Sequence, residues 1–184
     1  MSEVTFVALG ASITYGYPYK QKDSWVEHIR EKTDWQVINS GIPGNTFEDM
    51  YNRLKLDVLD HNPDIVCVMA GTNDVNQCMS QPQIQQSFLK LLTELLKRNI
   101  QVLVGLPLPV DTPNEGALRL LRAWLIECCE EKDLVLINFY QDFIDAQGEI
   151  REDLLLDGCH PRKKGYAIMG ERAVKTLQEN DIID

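Results

Sequence analysis

Short apolar runs alternate with amphipathic helical segments along the whole chain, and this alternation is the strongest constraint on its fold. Residues 4–9 form an apolar run that ends in Gly10, which suits a buried strand. Residues 23–32 then carry Trp25, Val26 and Ile29 at helical spacing. Residues 35–39 read as a second strand. Thr46 can cap a helix over 47–59 with Met50, Leu54 and Val58 on one face. Residues 64–70 (DIVCVMA) read as a third strand, and residues 82–98 as the clearest helix, with Ile84, Phe88, Leu91, Leu92, Leu95 and Leu96 in one stripe. A fourth strand over 100–106, a helix over 115–132, a fifth strand over 134–139 and a last helix from Arg162 or Lys163 to Glu179 complete the pattern. Strands separated by helices need crossover connections, so the rhythm predicts an α/β fold with a parallel sheet covered by helices on both faces.

A chain of 184 residues with no internal repeat, linker or low-complexity tract is expected to form one domain over residues 1–184. Its formal net charge of −10 argues against nucleic acid or an anionic membrane surface as a partner, since both attract positive fields. No apolar stretch approaches the roughly 20 residues of a membrane span. Met1–Val4 lead straight into an apolar run without the basic and long apolar regions of a secretory signal. The five cysteines are Cys67, Cys78, Cys128, Cys129 and Cys159. Their odd number and irregular spacing predict reduced thiols, and a cytoplasmic protein is expected.

In parallel α/β sheets, ligands bind beyond the carboxyl ends of the strands. Ser12, Gly41 and Asn73 each follow a predicted strand by one to four residues, which brings all three to the same sheet edge. Ser12 lies in a Gly-x-Ser turn, and its hydroxyl becomes a nucleophile once a base removes its proton. His160 follows Asp157 by three residues across Gly158. In a tight turn this spacing lets the carboxylate accept from the imidazole Nδ1–H and leaves Nε2 free for a serine. His28 and His61 stand in structural or exposed settings. The Asn73 amide and the backbone N–H groups of Gly41 and Ser12 can serve as three oxyanion donors. Asp74 is expected to order its loop through backbone hydrogen bonds.

The set Gly10-Ala11-Ser12, Gly41, Gly71-Thr72-Asn73-Asp74 and Asp157-Gly158-Cys159-His160 resembles the signature blocks of the SGNH (GDSL) hydrolase family, in order and approximate spacing. The resemblance covers residues 5 to about 170. It implies a flavodoxin-like three-layer α/β/α sandwich with a five-stranded parallel sheet. It also implies a catalytic triad of Ser12, His160 and Asp157, with an oxyanion hole from Ser12, Gly41 and Asn73 and no cofactor or metal. Ala11 departs from the pattern, because the family has aspartate there. That position is outside the triad, so the departure leaves the mechanism intact while altering the loop beside the nucleophile.

The expected activity is hydrolysis of small or short-chain carboxylic esters, with a small-molecule ester as substrate. Pocket walls are expected near residues 15–19, 76–79 and 106–114, with Tyr15, Tyr17 and Tyr19 as a possible aromatic rim. Two alternatives remain: a flavodoxin-like module that cradles a phosphate on the loop 10–16, and a catalytically impaired hydrolase fold used for binding. Carbohydrate acetyl esters, aryl esters, thioesters and lysophospholipids are not separated by sequence.

Overall fold

A computed structural model describes residues 4–183. Met1, Ser2 and Glu3, part of the segment in which no secretory signal is read, lie outside the described residues. Five strands run in chain order as β1 (Thr5–Gly10), β2 (Gln36–Gly41), β3 (Ile65–Met69), β4 (Gln101–Gly105) and β5 (Val135–Ile137). All neighbouring pairs are parallel, in the spatial order β2-β1-β3-β4-β5. That is the flavodoxin-like order, in which the chain reverses direction across the sheet between β1 and β3.

The helices are α1 (Ser12–Tyr15), α2 (Trp25–Lys32), α3 (Phe47–Asp57), α4 (Thr72–Asn76), α5 (Gln81–Leu96), α6 (Glu115–Glu131) and α7 (Lys163–Glu179). Alternation within the strands sorts side chains into two cores. Val7 and Leu9 of β1, Val66 and Val68 of β3, and Val102 and Val104 of β4 face α3, α5 and α6. Phe6, Ala8, Ile65, Cys67, Met69 and Leu103 face α2 and α7. The central strands are thus apolar on both faces, which explains why they read as continuous runs and not as alternating patterns. Each large side chain so buried stabilises the fold by roughly 1.5–3 kcal/mol. Trp25, fully buried, packs against Phe139 with ring centroids 5.1 Å apart.

Local chemistry sets the element ends. Ser24 Oγ accepts from the Val26 N–H and starts α2. Thr46 and Asp49 cap α3 reciprocally: Asp49 N–H donates to Thr46 Oγ1, and Asp49 Oδ2 accepts from the Thr46 N–H. Three expectations shift. Leu96 lies off the buried stripe of α5, 41% exposed, on the same outer side as Leu89 two turns earlier, while its neighbour Leu95 is fully buried. The fifth strand is shorter than its apolar run, since the Phe139 N–H turns back to the Ile137 carbonyl and a 3-10 turn follows. The short helices α1 and α4 occupy segments that read as loops. Among the described residues, no helix is long and apolar enough to cross a membrane.

Candidate active site

The nucleophile candidate is placed by a sharp strand-to-helix transition. β1 ends at Gly10, and Ser12 is the first residue of α1. A Cβ at Gly10 would lie 1.9 Å from Thr14 Oγ1, so only glycine lets α1 fold back this tightly. Gly16, at φ +102°, closes α1 in the left-handed conformation. Asn39 then ties α1 to the sheet, with its Nδ2 donating to the Thr14 carbonyl at 2.8 Å.

His160 reaches the same place from the other end of the chain. The loop carrying it is pinned by a bond from Leu156 N–H to the His160 carbonyl (2.8 Å) and by one from Asp111 N–H to the Gly158 carbonyl (2.8 Å). Gly158 adopts φ +76° in this turn. His160 Nε2 stands 3.0 Å from Ser12 Oγ, and Nδ1 stands 2.8 Å from Asp157 Oδ2. The other carboxylate oxygen, Oδ1, accepts from the N–H groups of Cys159 (3.1 Å) and His160 (2.8 Å). Partial burial pushes the Asp157 carboxyl up, but the bonds from His160 and Cys159 outweigh it and hold the group below its ordinary value. The ring of Tyr17 meets His160 edge-on, with centroids 4.7 Å apart, and the Tyr17 carbonyl accepts from Tyr166 Oη at 2.7 Å.

Asn73 lies on α4, which opens at Gly71 with φ +113°. A Cβ at Gly71 would sit 2.5 Å from Leu121 Cδ2, so the turn that aims Asn73 depends on glycine twice over. Asn73 Nδ2 donates to the Asn45 carbonyl at 2.9 Å, which leaves its second N–H for another acceptor. Asp74 is fully buried, and its Oδ1 accepts from the Phe47 N–H at the start of α3 (3.1 Å). Burial lifts the Asp74 carboxyl to about 6, against the opposing effect of the backbone N–H groups of Phe47, Asp74 and Gly71.

Gly41 does not fill its expected place. It ends the edge strand, and because the Ile42 N–H pairs with the Gly10 carbonyl, the Gly41 N–H points outward, where Asn39 Oδ1 takes it at 3.0 Å. A Cβ on Gly41 would lie 2.2 Å from the Tyr15 backbone nitrogen, so this glycine serves the packing of α1 on β2. Gly44, at φ +86° in the following turn, precedes the Asn45 carbonyl that Asn73 holds, and its N–H makes no hydrogen bond among the described residues. Of the two glycines in Gly41-Ile42-Pro43-Gly44, the first has its N–H taken by Asn39, and the second has an N–H without a hydrogen bond among the described residues.

Ser12, Asn73 and His160 line one pocket of about 70 Å³, together with Ala11, Ile13, Met69, Ala70, Pro107 and Cys159 among others. Asp157 backs His160 from outside the pocket. Ala11 contributes a methyl to the wall and packs on the core beneath. Burial, with the Asp157 charge adding to it, pushes the Cys159 thiol up to about 11. Of the expected walls, Asn76 and Pro107 are present, and Asn114 braces Asn76 from behind at 2.9 Å. Tyr17 touches His160, whereas Tyr19 packs against Tyr166. Among the described residues, no group of three or more His, Cys, Asp or Glu side chains is arranged to hold a metal ion.

The profile of the GDSL-like lipase/acylhydrolase family matches residues 8–168. The chain belongs to this family. As a GDSL hydrolase it is a carboxylic-ester hydrolase. It is 24% identical over 181 residues to thioesterase 1/protease 1/lysophospholipase L1 of Escherichia coli K12, covering 95% of this chain and 83% of that one. It is 25% identical over 183 residues to esterase TesA of Pseudomonas aeruginosa, covering 95% and 88%. The structure of a lipolytic protein of the G-D-S-L family from Desulfitobacterium hafniense superposes with a TM-score of 0.89 at 29% identity, covering 95% of this GDSL hydrolase and 100% of that chain.

Proposed function

We propose that this hydrolase cleaves small or short-chain carboxylic esters through an acyl-serine intermediate. Ser12 is the nucleophile, His160 the base and then the acid, and Asp157 the group that orients His160. The observation that carries this reading is the unbroken chain of contacts from Asp157 Oδ2 through the two His160 nitrogens to Ser12 Oγ, at 2.8 and 3.0 Å. With Nδ1–H donated to Asp157, Nε2 is the unprotonated nitrogen and accepts the Ser12 proton as Oγ bonds to the ester carbonyl carbon. The resulting oxyanion is received by the Ser12 N–H, the free N–H of the Asn73 amide and the Gly44 N–H, the last in the position first expected of Gly41. The Ser12 N–H is available because the opening N–H groups of a helix have no intrahelical partner. Collapse breaks the carbon–alkoxy bond, and the alcohol leaves with the proton from Nε2. Water then repeats the sequence, giving up a proton to Nε2 and releasing the acid with Ser12 restored.

The small pocket and its apolar wall of Ala11, Ile13, Met69, Ala70 and Pro107 support short acyl groups. The names of relatives span thioester, lysophospholipid and aryl ester cleavage, and all of these run through an acyl-enzyme that such a site can form. The chain is read as one hydrolase domain, and its five free cysteines support work in a reducing, cytoplasmic compartment. The phosphate-cradling alternative gives His160 and Asn73 no role, and the Ser12–His160 contact argues against it.

A fluorophosphonate probe with mass spectrometry of the adduct tests the assignment. Labelling of Ser12 that disappears in His160→Ala, with p-nitrophenyl acetate turned over faster than the octanoate, is the expected result. An unlabelled Ser12 together with no ester turnover overturns it, and would support the impaired-fold alternative prompted by Ala11.

A further inference from the structure

Arg53, on α3, is not among the pocket-lining residues and its side chain is only 14% exposed. Its guanidinium nevertheless bonds to the ends of β1 and β2 and to the turn that follows β2, all beside the proposed oxyanion site. Nε donates to Asn45 Oδ1 at 2.6 Å. One terminal nitrogen donates to Ser40 Oγ (2.7 Å) and to Asp57 Oδ2 (2.8 Å). The other donates to the Gly10 carbonyl (3.0 Å) and the Ser40 carbonyl (2.9 Å). An arginine has five N–H donors in a rigid plane, and here each has an acceptor. Asp57, one helical turn away, supplies the countercharge that a largely buried cation needs.

The acceptors connect two things that the proposed reaction must keep in register. Gly10 is the last residue of the strand that delivers Ser12. Asn45 carries the carbonyl to which Asn73 Nδ2 donates, and follows Gly44 directly. We infer that Arg53 is a positioning residue for the oxyanion site, clamping the 42–45 turn, and through the Asn45 carbonyl the Asn73 amide, onto the strand end that carries Ser12. The inference rests on the proposed role of Asn73 as an oxyanion donor. Without the clamp, the turn would be joined to the β1 end chiefly by the Ile42–Gly10 backbone bond, and Asn73 would lose a fixed acceptor for the N–H that orients it. Lysine keeps the charge but presents a single ammonium on a flexible stem and cannot span acceptors on both the 42–45 turn and the two strand ends.

The test is a double-mutant cycle on p-nitrophenyl acetate hydrolysis. Arg53→Lys is expected to lower kcat by roughly tenfold to a hundredfold, less than loss of an oxyanion donor itself, with KM changed by less than about threefold. Asn45→Ala, which leaves the guanidinium in place and removes only its Nε acceptor, is expected to lower kcat in the same way. In an Asn73→Ala background, either substitution is expected to cost less than about a further threefold, because the group through which they act is already gone. Losses that multiply with Asn73→Ala, or that fall on KM instead of kcat, overturn the inference. So does full activity in Arg53→Lys when Asn73→Ala is disabled. An Asn73→Ala variant with undiminished kcat instead removes the oxyanion role of Asn73, and the inference with it. Should Arg53→Lys fail to fold, the cycle of Asn45→Ala with Asn73→Ala decides alone.

Discussion

Asp157 and His160 are joined twice. Oδ2 meets the imidazole Nδ1 at 2.8 Å, and Oδ1 accepts from the His160 backbone N–H, also at 2.8 Å. The carboxylate therefore fixes both the tautomer of the ring and the turn that presents it. Asp157→Asn can keep the turn through its remaining oxygen but sets an amide against Nδ1. A kcat reduced by roughly 10²–10⁴-fold, with an unchanged circular dichroism spectrum, is expected. Because the folded carboxyl titrates below its ordinary value, its stabilisation of the turn is present at neutral pH and is lost as pH falls through that lowered value. The stability gap between wild type and Asp157→Asn should close on acidification; a gap that widens contradicts the arrangement.

Asp74 behaves in the opposite sense. Its folded value of about 6 lies above the ordinary 3.8, so folding takes up a proton between these values. Stability from this group is complete below the ordinary value and declines as pH rises through about 6. Replacing the carboxylate by Asp74→Asn, which retains an acceptor for the Phe47 N–H, removes that decline. Urea unfolding at about pH 3.5 and about pH 7.5 should show wild type losing roughly 2–3 kcal/mol relative to the variant across the interval. Parallel pH profiles would show that Asp74 titrates alike in the folded and unfolded chains, contrary to its burial.

The two glycines of the 41–44 segment should fail differently. Gly41→Ala drives a methyl into the Tyr15 backbone at 2.2 Å, and α1 must move, so a loss of roughly 2–4 kcal/mol is expected. Gly44→Ala meets open space and costs only its left-handed backbone, roughly 1–2 kcal/mol. Thermal melts of the two variants rank them, and the reverse order would contradict the close approach of α1 to Gly41.

Thiol chemistry should divide the cysteines. Burial pushes Cys67 and Cys129 up to about 12 and Cys159 up to about 11, while Cys78 is exposed. Iodoacetamide at about pH 8 should alkylate Cys78 first and leave Cys159 intact beside the active site, as peptide mapping would register. Early modification of Cys159 would show a site more open than its geometry indicates.

What could be read in advance followed from burial. The strands β1, β3 and β4 lie between two helical layers, so their central residues are apolar without interruption, and the apolar runs locate each strand to within a residue or so of its ends. Ser12, Asn73, Asp157 and His160 stood out as candidates because each sits in a turn whose glycine or spacing marks it, and the fold brings them to one place. The short helices α1 and α4 carried no such mark; segments of four or five residues are held helical by tertiary contacts and not by their own propensity. That the Gly41 N–H is held by the Asn39 side chain could not be read in advance, because it follows from the place of β2 at the sheet edge. Arg53 gave no signal at all. An arginine on an amphipathic helix usually reaches into water, and only the fold brings the Gly10, Ser40 and Asn45 acceptors around it.

The Ser12–His160 contact joins residues 148 positions apart. In the proposed mechanism the nucleophile emerges during synthesis with the first strand, whereas its base arrives only when the loop before the last helix has docked against Asp111. Until then the serine is an ordinary alcohol. Acquired hydrolytic activity is therefore a clock for the completion of folding, and partly folded chains, however much of the sheet they have assembled, are chemically silent.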